Sequence, residues 1–362
     1  MGSALRRAIR PVGRALTARW APHSRLFLVG ENADWVIDHE LAALATTART
    51  LGFAVADPRL LPIASRQAVF YGSQFALLER WRPTTHRVGT AYFHGRPGTP
   101  GMPEFDTAYR TLCEHHAEID RIQVSHSEFE QIVLASGIDP GKVFRIPIGI
   151  DAALFRPAAA AERAAARREL AFPEDAFVVG SFQKDGVGWG DGLDPKLVKG
   201  PDVLVAVLAE LHTRVPELHV LLSGPARGYV IAGLERLGIP YVHRLVPGYE
   251  HVGRLYHALD AYVVTSRQEG GPKGVLESMA SGVPLVTTRV GQAMDLVEQG
   301  RNGWLVDVED AEGLAQCLAL VAAAPPELSQ VVAAGLETAA GNTYEAQAPL
   351  WRAFLGGFVE PS

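Results

Sequence analysis

Cysteine is nearly missing from this chain: of 362 residues only Cys113 and Cys317 carry a thiol, and they lie far apart without a Cys-x-x-Cys spacing. A disulfide framework and a structural zinc site are thereby disfavoured, and the reducing cytoplasm becomes the expected compartment. No apolar run is long enough to cross a bilayer, and 48% hydrophobic with 20% charged residues is the composition of a folded soluble protein. An excess of positive charge is lacking too. With 34 basic against 40 acidic residues the net charge is -6, which argues against a general affinity for nucleic acid. Cys113, His115, His116 and Glu118 are one grouping of metal-ligating residue types, but they lack a second matched pair and read as a polar helix surface. No Gly-x-Ser-x-Gly elbow supports a serine hydrolase.

Lysine is the scarcest basic residue. Only Lys142, Lys184, Lys196, Lys199 and Lys273 occur, and arginine holds nearly every other basic position. A GC-rich genome explains the scarcity, yet not why four of the five fall between residues 184 and 273. Lysine binds phosphate as a compact point charge, so the cluster marks a candidate anion site.

The length suits two domains of about 150 residues each. Residues 1–23 hold five arginines and no acid, with Leu5, Ile9, Val12, Leu16 and Trp20 at helical spacing. Two readings stand for this segment: peripheral docking of residues 1–20 on anionic lipid headgroups at the inner face of a membrane, or a solvated terminus. Its arginines leave no continuous apolar stretch for a secretory signal. Beyond it, short β-rich runs alternate with helical stretches, the pattern of parallel α/β architecture. Strands are expected at 25–30, 87–92, 120–124 and 143–146, with a helix over 35–51. Proline and alanine dominate 147–166, which reads as a linker. The rhythm restarts with strands at 177–182, 218–223, 241–245 and 261–265 and helices over 201–215, 229–237 and 251–259. The domains are therefore expected at 24–156 and 157–342, two doubly wound Rossmann-like halves facing each other across a cleft at the carboxyl ends of their sheets. The last segment, 343–362, carries Tyr344, Leu350, Trp351, Phe354 and Leu355 on one helical stripe and is expected to pack back on the first domain.

The richest stretch is Ser266 to Gly282, SRQEGGPKGVLESMASG. Glu269 and Glu277 flank Gly270, Gly271, Pro272, Lys273 and Gly274, a turn that should open a helix with Pro272 in its first turn. The glycines would let a ligand approach the amides of the helix N-terminus, which favours phosphate. Glu277 would lie roughly 6 Å into the helix at 1.5 Å per residue. An anion at the N-terminus would then have a carboxylate on either side, the layout of a sugar, a diphosphate and a ribose in series. Lys273 reads equally as a phosphate ligand or as a solvated lysine.

These residues resemble the GT-B-fold nucleotide-sugar glycosyltransferases, in particular the large retaining group 4. Its mark is the glutamate pair, here in EGGPKGVLESMASGVPLVTT, and the resemblance continues through GQAMDLVEQGRNGWLVD and upstream in VSHSEFEQIVLASGIDPGKVFRIPIGID. It covers about residues 120–320. The resemblance implies that Glu277 holds the ribose hydroxyls, Glu269 contacts the transferred sugar and Lys199 binds the leaving diphosphate. Lys184 stands where many members have an arginine for the same phosphates, so either Lys184 or Gln183 does that work. His94 in AYFHG resembles the active-site histidine, with a structural histidine as the other reading. Gly30 falls where the glycine loop meets donor or acceptor, and Leu245 and Val246 lie near the expected base contacts.

The implied activity is transfer of a sugar from a UDP- or GDP-sugar to a glycan, lipid-linked or small-molecule acceptor with retention at the anomeric carbon. No cofactor and no metal are implied, because lysines and a helix N-terminus can stabilise the departing charge and no Asp-x-Asp occurs to hold a metal diphosphate. A non-catalytic nucleotide-sugar or glycan-binding protein and a GT-B-like epimerase are the alternatives.

Overall fold

The computed structural model describes residues 24–30, 36–79 and 81–361. The arginine-rich segment 1–23 and the helix start expected at Trp35 lie outside the described residues. The chain divides into two compact units, the first running to Pro147 and resuming at Tyr344, the second spanning Ile148–Thr343.

The first unit holds a six-stranded sheet of β1 (Leu26–Val29), β2 (Val55–Ala56), β3 (Ala68–Tyr71), β4 (Arg87–Tyr92), β5 (Arg121–Val124) and β6 (Val143–Arg145), in the order β2-β1-β3-β4-β5-β6. All its pairings are parallel. The second unit holds β7 (Phe177–Phe182), β8 (Leu218–Ser223), β9 (Tyr241–His243), β10 (Ala261–Val264), β11 (Leu285–Thr288) and β12 (Trp304–Val306), likewise all parallel, in the order β12-β11-β10-β7-β8-β9. That is the dinucleotide-fold order, whose direction reverses between β7 and β10. Ligands bind in such sheets at the carboxyl ends of the strands flanking the reversal.

Strands buried on both faces explain the apolar runs from which the sheets were legible. In the second unit Val178, Leu221, Tyr262 and Val264 enter one core, while Val179, Val220, Leu222 and Val263 enter another on the opposite face. The period of two is visible only through burial, because both faces are apolar. β3, central to the first sheet, is absent from the expected strands: AVFY is separated only by Gly72 and Ser73 from the apolar helix Gln74–Leu78, so the two read as one stretch. The strand expected over 241–245 ends at His243, and the helix expected over 251–259 is reduced to a 3-10 turn at Tyr249–His251 and a single turn at Gly253–Tyr256.

The expected linker is not one. The units divide after Pro147, before the boundary expected after residue 156, because Ile150 and Phe155 are buried in the core of the second unit. The alanine-rich stretch forms a helix, Ala160–Glu169, consistent with alanine's helix propensity. Glu162 secures its start by accepting from the Ala159 amide at 2.8 Å and pairing with Arg156 at 2.6 Å, which holds the Glu162 carboxyl down to about 2.

Residues from Tyr344 onward belong to the first unit. In the helix Ala348–Leu355, Trp351, Phe354 and Leu355 are buried beside Leu26, Phe70 and Phe358, and Phe354 meets Phe70 edge-on at 5.5 Å. Arg121 Nε and Nη2 bind the carbonyls of Phe354 and Gly356. Leu350, expected on the same stripe, is 43% exposed, since it lies one position off the face that Trp351, Phe354 and Leu355 share. No described helix is long and apolar enough to cross a membrane.

Candidate functional site

At the carboxyl end of β10 the chain enters Thr265-Ser266-Arg267, and the turn Leu197–Lys199 is docked on it. Gly200 makes the docking possible. Its φ is +64°, and a Cβ there would overlap the Thr265 carbonyl. With that approach allowed, Thr265 Oγ1 donates to Gly200 O at 3.0 Å, and the amide of Arg267 donates to Val198 O at 2.9 Å. Arg267 clamps the turn from outside, donating to Leu197 O and to both carboxylate oxygens of Asp202 at 2.8 and 2.7 Å. The Arg267 bonds hold the Asp202 carboxyl below its ordinary range.

The outcome is that Lys199 Nζ binds both oxygens of Glu269, at 2.6 and 2.7 Å. Ser266 Oγ adds a third bond to Glu269 Oε1 at 2.9 Å. Glu269 is 11% exposed and Lys199 27%, so solvent reaches the lysine from one side. A charge pair in this setting is partly desolvated and strongly oriented, unlike a surface ion pair.

Glu277 sits within the helix Lys273–Ala280 and is buried at 5% exposure. Tyr249 OH donates to its Oε1 at 2.6 Å and Tyr256 OH to its Oε2 at 2.8 Å. Burial and the adjacent carboxylate raise the Tyr256 hydroxyl well above its ordinary value, so it stays a donor. Lys273 Nζ lies 4.7 Å from the centre of the Tyr249 ring, linking the helix start to the same tyrosine. A carboxylate offers about four lone-pair positions, so it can accept from several donors at once.

Two glycines of the turn are also required by packing. A Cβ on Gly274 would overlap the Tyr262 ring, and one on Gly271 would lie 2.5 Å from Ile148. Both are small to permit packing beneath the turn. Gly270 O accepts from the Gln292 amide at 3.3 Å. Pro272 precedes the helix with extended backbone instead of occupying its first turn, and its carbonyl accepts from Val275.

Lys184 and Gln183 separate. Gln183 Nε2 donates to Lys199 O at 3.1 Å, whereas Lys184 Nζ donates to Gly186 O at 3.0 Å and lies 4.9 Å from the Trp189 ring centre. Beneath them is a fully buried ion pair that the sequence did not announce. Arg227 Nε lies 3.0 Å from Asp185 Oδ1, and its Nη1 donates to the carbonyls of Ser181 and Ser223 at the ends of β7 and β8. Burial raises the Asp185 carboxyl and lowers the Arg227 guanidinium, each offset in part by the other's charge. Ser266, Tyr249, Tyr256, Arg227 and Arg267 were all missed in the sequence. Only Ser266, three residues before Glu269, carried a positional signal.

The remaining candidates lie elsewhere. His94 and Gly30 belong to the first unit. His94 follows β4, is exposed, and meets Phe75 and Phe105 edge-on at 5.2 and 5.9 Å. Gly30 follows β1, and a Cβ there would stand 3.0 Å from Asp38 Oδ1. Leu245 and Val246 line a cavity of about 740 Å³ with Arg156, Arg244 and Arg254, a space that Lys199, Glu269 and Glu277 do not line. His115 pairs with Glu118 at 2.8 Å and stacks on Trp81, a surface arrangement. Among the described residues no group of three or more His, Cys, Asp or Glu side chains is placed to hold a metal ion.

Residues 192–323 match the family model described as glycosyl transferases group 1. A D-inositol 3-phosphate glycosyltransferase of Saccharomonospora viridis is 34% identical over 236 residues, covering 60% of this chain and 51% of that protein. One from Segniliparus rotundus is 31% identical over 262 residues, covering 68% of this chain and 55% of its own length. The chain thus spans about half the length of these relatives. In fold, the crystal structure of Anabaena HepE in complex with UDP covers 92% of this chain and 100% of its own at a TM-score of 0.72 and 16% identity. Sucrose-phosphate synthase of Thermosynechococcus elongatus covers 80% and 74% at 0.65 and 21%. By fold this chain is a GT-B protein, and its residues 192–323 match the family model of the glycosyl transferases of group 1.

Proposed function

We propose that the protein is a glycosyltransferase moving a sugar from a nucleoside-diphosphate sugar to an acceptor hydroxyl, with retention at the anomeric carbon and without a metal ion. The observation that carries this is the Lys199–Glu269 pair, docked by Gly200 at the end of β10 beside the strand-order reversal, with the buried Glu277 one helix turn beyond the Gly-Gly-Pro-Lys-Gly turn. Lys199 supplies the positive charge that offsets the departing diphosphate as the anomeric C–O bond lengthens. Glu269, already held by Lys199 and Ser266, orients the sugar. Glu277, oriented by Tyr249 and Tyr256, accepts from the ribose hydroxyls. The acceptor oxygen attacks the anomeric carbon, the bond to the diphosphate breaks, and the acceptor's proton passes to the departing phosphate. Gln183 braces the Lys199 turn through its bond to Lys199 O.

The Anabaena HepE structures with UDP and with UDP-glucose support a uridine nucleotide as the first donor to test. The relatives' name puts D-inositol 3-phosphate first among the acceptors to test, ahead of glycan and lipid-linked ones. A thermal-shift panel with UDP, GDP, ADP and dTDP and their common sugars, with and without EDTA, is the direct test. Stabilisation grows with ligand concentration over Kd, so even micromolar binding registers at millimolar ligand. A selective shift that EDTA leaves unchanged is expected. A shift abolished by EDTA would overturn the metal-independent reading, and no shift at all would overturn the donor site.

A further inference from the structure

Between Asp185 and Lys196, just before Lys199, the chain makes a hairpin to which the proposed transfer reaction gives no part. Gly186 bridges Pro195, Val187 N donates to Asp194 O at 2.9 Å, and Lys196 N donates to Asp185 O at 2.7 Å. The far end is tied down as well: Gly228 and Tyr229 donate their amides to Asp191 O and Gly192 O at 2.8 and 2.9 Å. Gly192 lies so close to the main chain of Ala226 that any side chain would collide with it. The base is fixed by the buried Asp185–Arg227 pair.

This well-anchored hairpin presents Trp189 to solvent at 65% exposure. Lys184 Nζ lies near the indole, 4.9 Å from the ring centre. Val187 and Leu193 are exposed on the same hairpin, as is Leu197 just after it. Asp191 and Asp194 are exposed there too.

We propose that Trp189 is a stacking platform for a hexose ring. The negative face of the indole attracts the positively polarised C–H groups of a pyranose, and the amphipathic ring suits a ligand apolar on one face and wet at its edge. The exposed carboxylates of Asp191 and Asp194, on the same hairpin, can accept hydroxyl hydrogen bonds. An anionic lipid surface is the rival occupant of an exposed tryptophan, and Asp191 and Asp194 oppose it by charge. The proposal deepens the transferase reading and rests on it for placing a sugar at this end of the second unit; it concerns the hexose and not the nucleotide.

The test uses the full chain and two titrations. Methyl α-D-glucopyranoside and maltose are followed by saturation-transfer NMR and calorimetry, and UDP by calorimetry, for the wild type, Trp189→Ala and Trp189→Phe. Trp189→Ala is expected to weaken sugar binding about tenfold, equivalent to 1.4 kcal/mol, with Trp189→Phe between it and the wild type and UDP affinity within about twofold throughout. UDP binding without any sugar binding by the wild type, or sugar affinity equal in Trp189→Ala, overturns the platform and leaves the donor reading intact. Sugar binding that depends on Trp189 without UDP binding upholds the platform and overturns the donor reading. Binding to phosphatidylglycerol vesicles that disappears in Trp189→Ala, with no sugar effect, assigns the hairpin to a membrane and overturns the platform.

Discussion

The two units are both six-stranded parallel sheets, yet their strand orders and the contents of their strand-order reversals differ. In the first, the reversal lies between β1 and β3, and the residues just after those strands are small: Gly30 and Gly72, each crowded by the helix Val36–Thr50 through Asp38, Ile37 and Leu41. In the second, the reversal lies between β7 and β10, and the segments after those strands carry Asp185, Lys199 and Glu269, held in ion pairs. A parallel sheet therefore offers a position for chemistry without supplying the chemistry. In the second unit it comes from one close backbone approach, at Gly200, and from one buried arginine that ties the ends of β7 and β8 together.

The contrast can be broken most forcefully at Arg227. Arg227→Met leaves Asp185 buried and unpaired, so the second unit should lose about 3–5 kcal/mol, while the Asp185→Leu, Arg227→Met double variant loses less. Hydrogen exchange resolved by segment checks this: protection should fall in β7 and β8 and hold in β1 to β5. A uniform fall in both units would contradict the separateness of this ion pair. Next in size is Lys199→Ala, expected to cut turnover by about 10²–10³-fold, the usual cost of losing one donor to a developing negative charge. Steady-state kinetics against Lys199→Arg, which keeps the charge, separates this from misfolding.

A smaller effect sharpens the division of labour. Glu277→Ala should raise the Kd for UDP about tenfold, or 1.4 kcal/mol, whereas His94→Ala in the first unit leaves that Kd unchanged. Calorimetry on both variants decides it, and equal UDP affinity in Glu277→Ala would remove the ribose role. Smallest of all is Leu350→Ala in the first unit. Its exposed side chain should change stability by less than about 0.5 kcal/mol in a urea melt, although it neighbours the buried Trp351.

Much of the architecture was legible because fully buried strands announce themselves as apolar runs: β4 at 87–92, β7 at 177–182 and β8 at 218–223 fall where the sequence pattern places them. β3 was not legible, because only Gly72 and Ser73 separate it from the apolar helix Gln74–Leu78 and the two read as one stretch, and neither was the true division after Pro147, since Ile150 and Phe155 resemble any apolar residues until their burial is known. In the site, the glutamate pair could be singled out from residue type and spacing, and Lys199 from the family resemblance. Their partners could not. Tyr249 and Tyr256 reach Glu277 from 28 and 21 residues away, and Arg227 reaches Ser181 across 46.

The sequence by itself determined the α/β class, the restart of the strand pattern in the second half, and the residue types gathered between 184 and 277, because periodicity and local turn chemistry are properties of neighbours along the chain. Only the tertiary structure decided which charges meet. It paired Lys199 with Glu269, turned Lys184 toward Trp189, closed Glu277 between two tyrosines, and packed Gly271 against Ile148 and Gly274 against Tyr262. The reason is physical: the energy of an ion pair or a steric contact depends on distances across the sheet, which side-chain order along the chain does not fix.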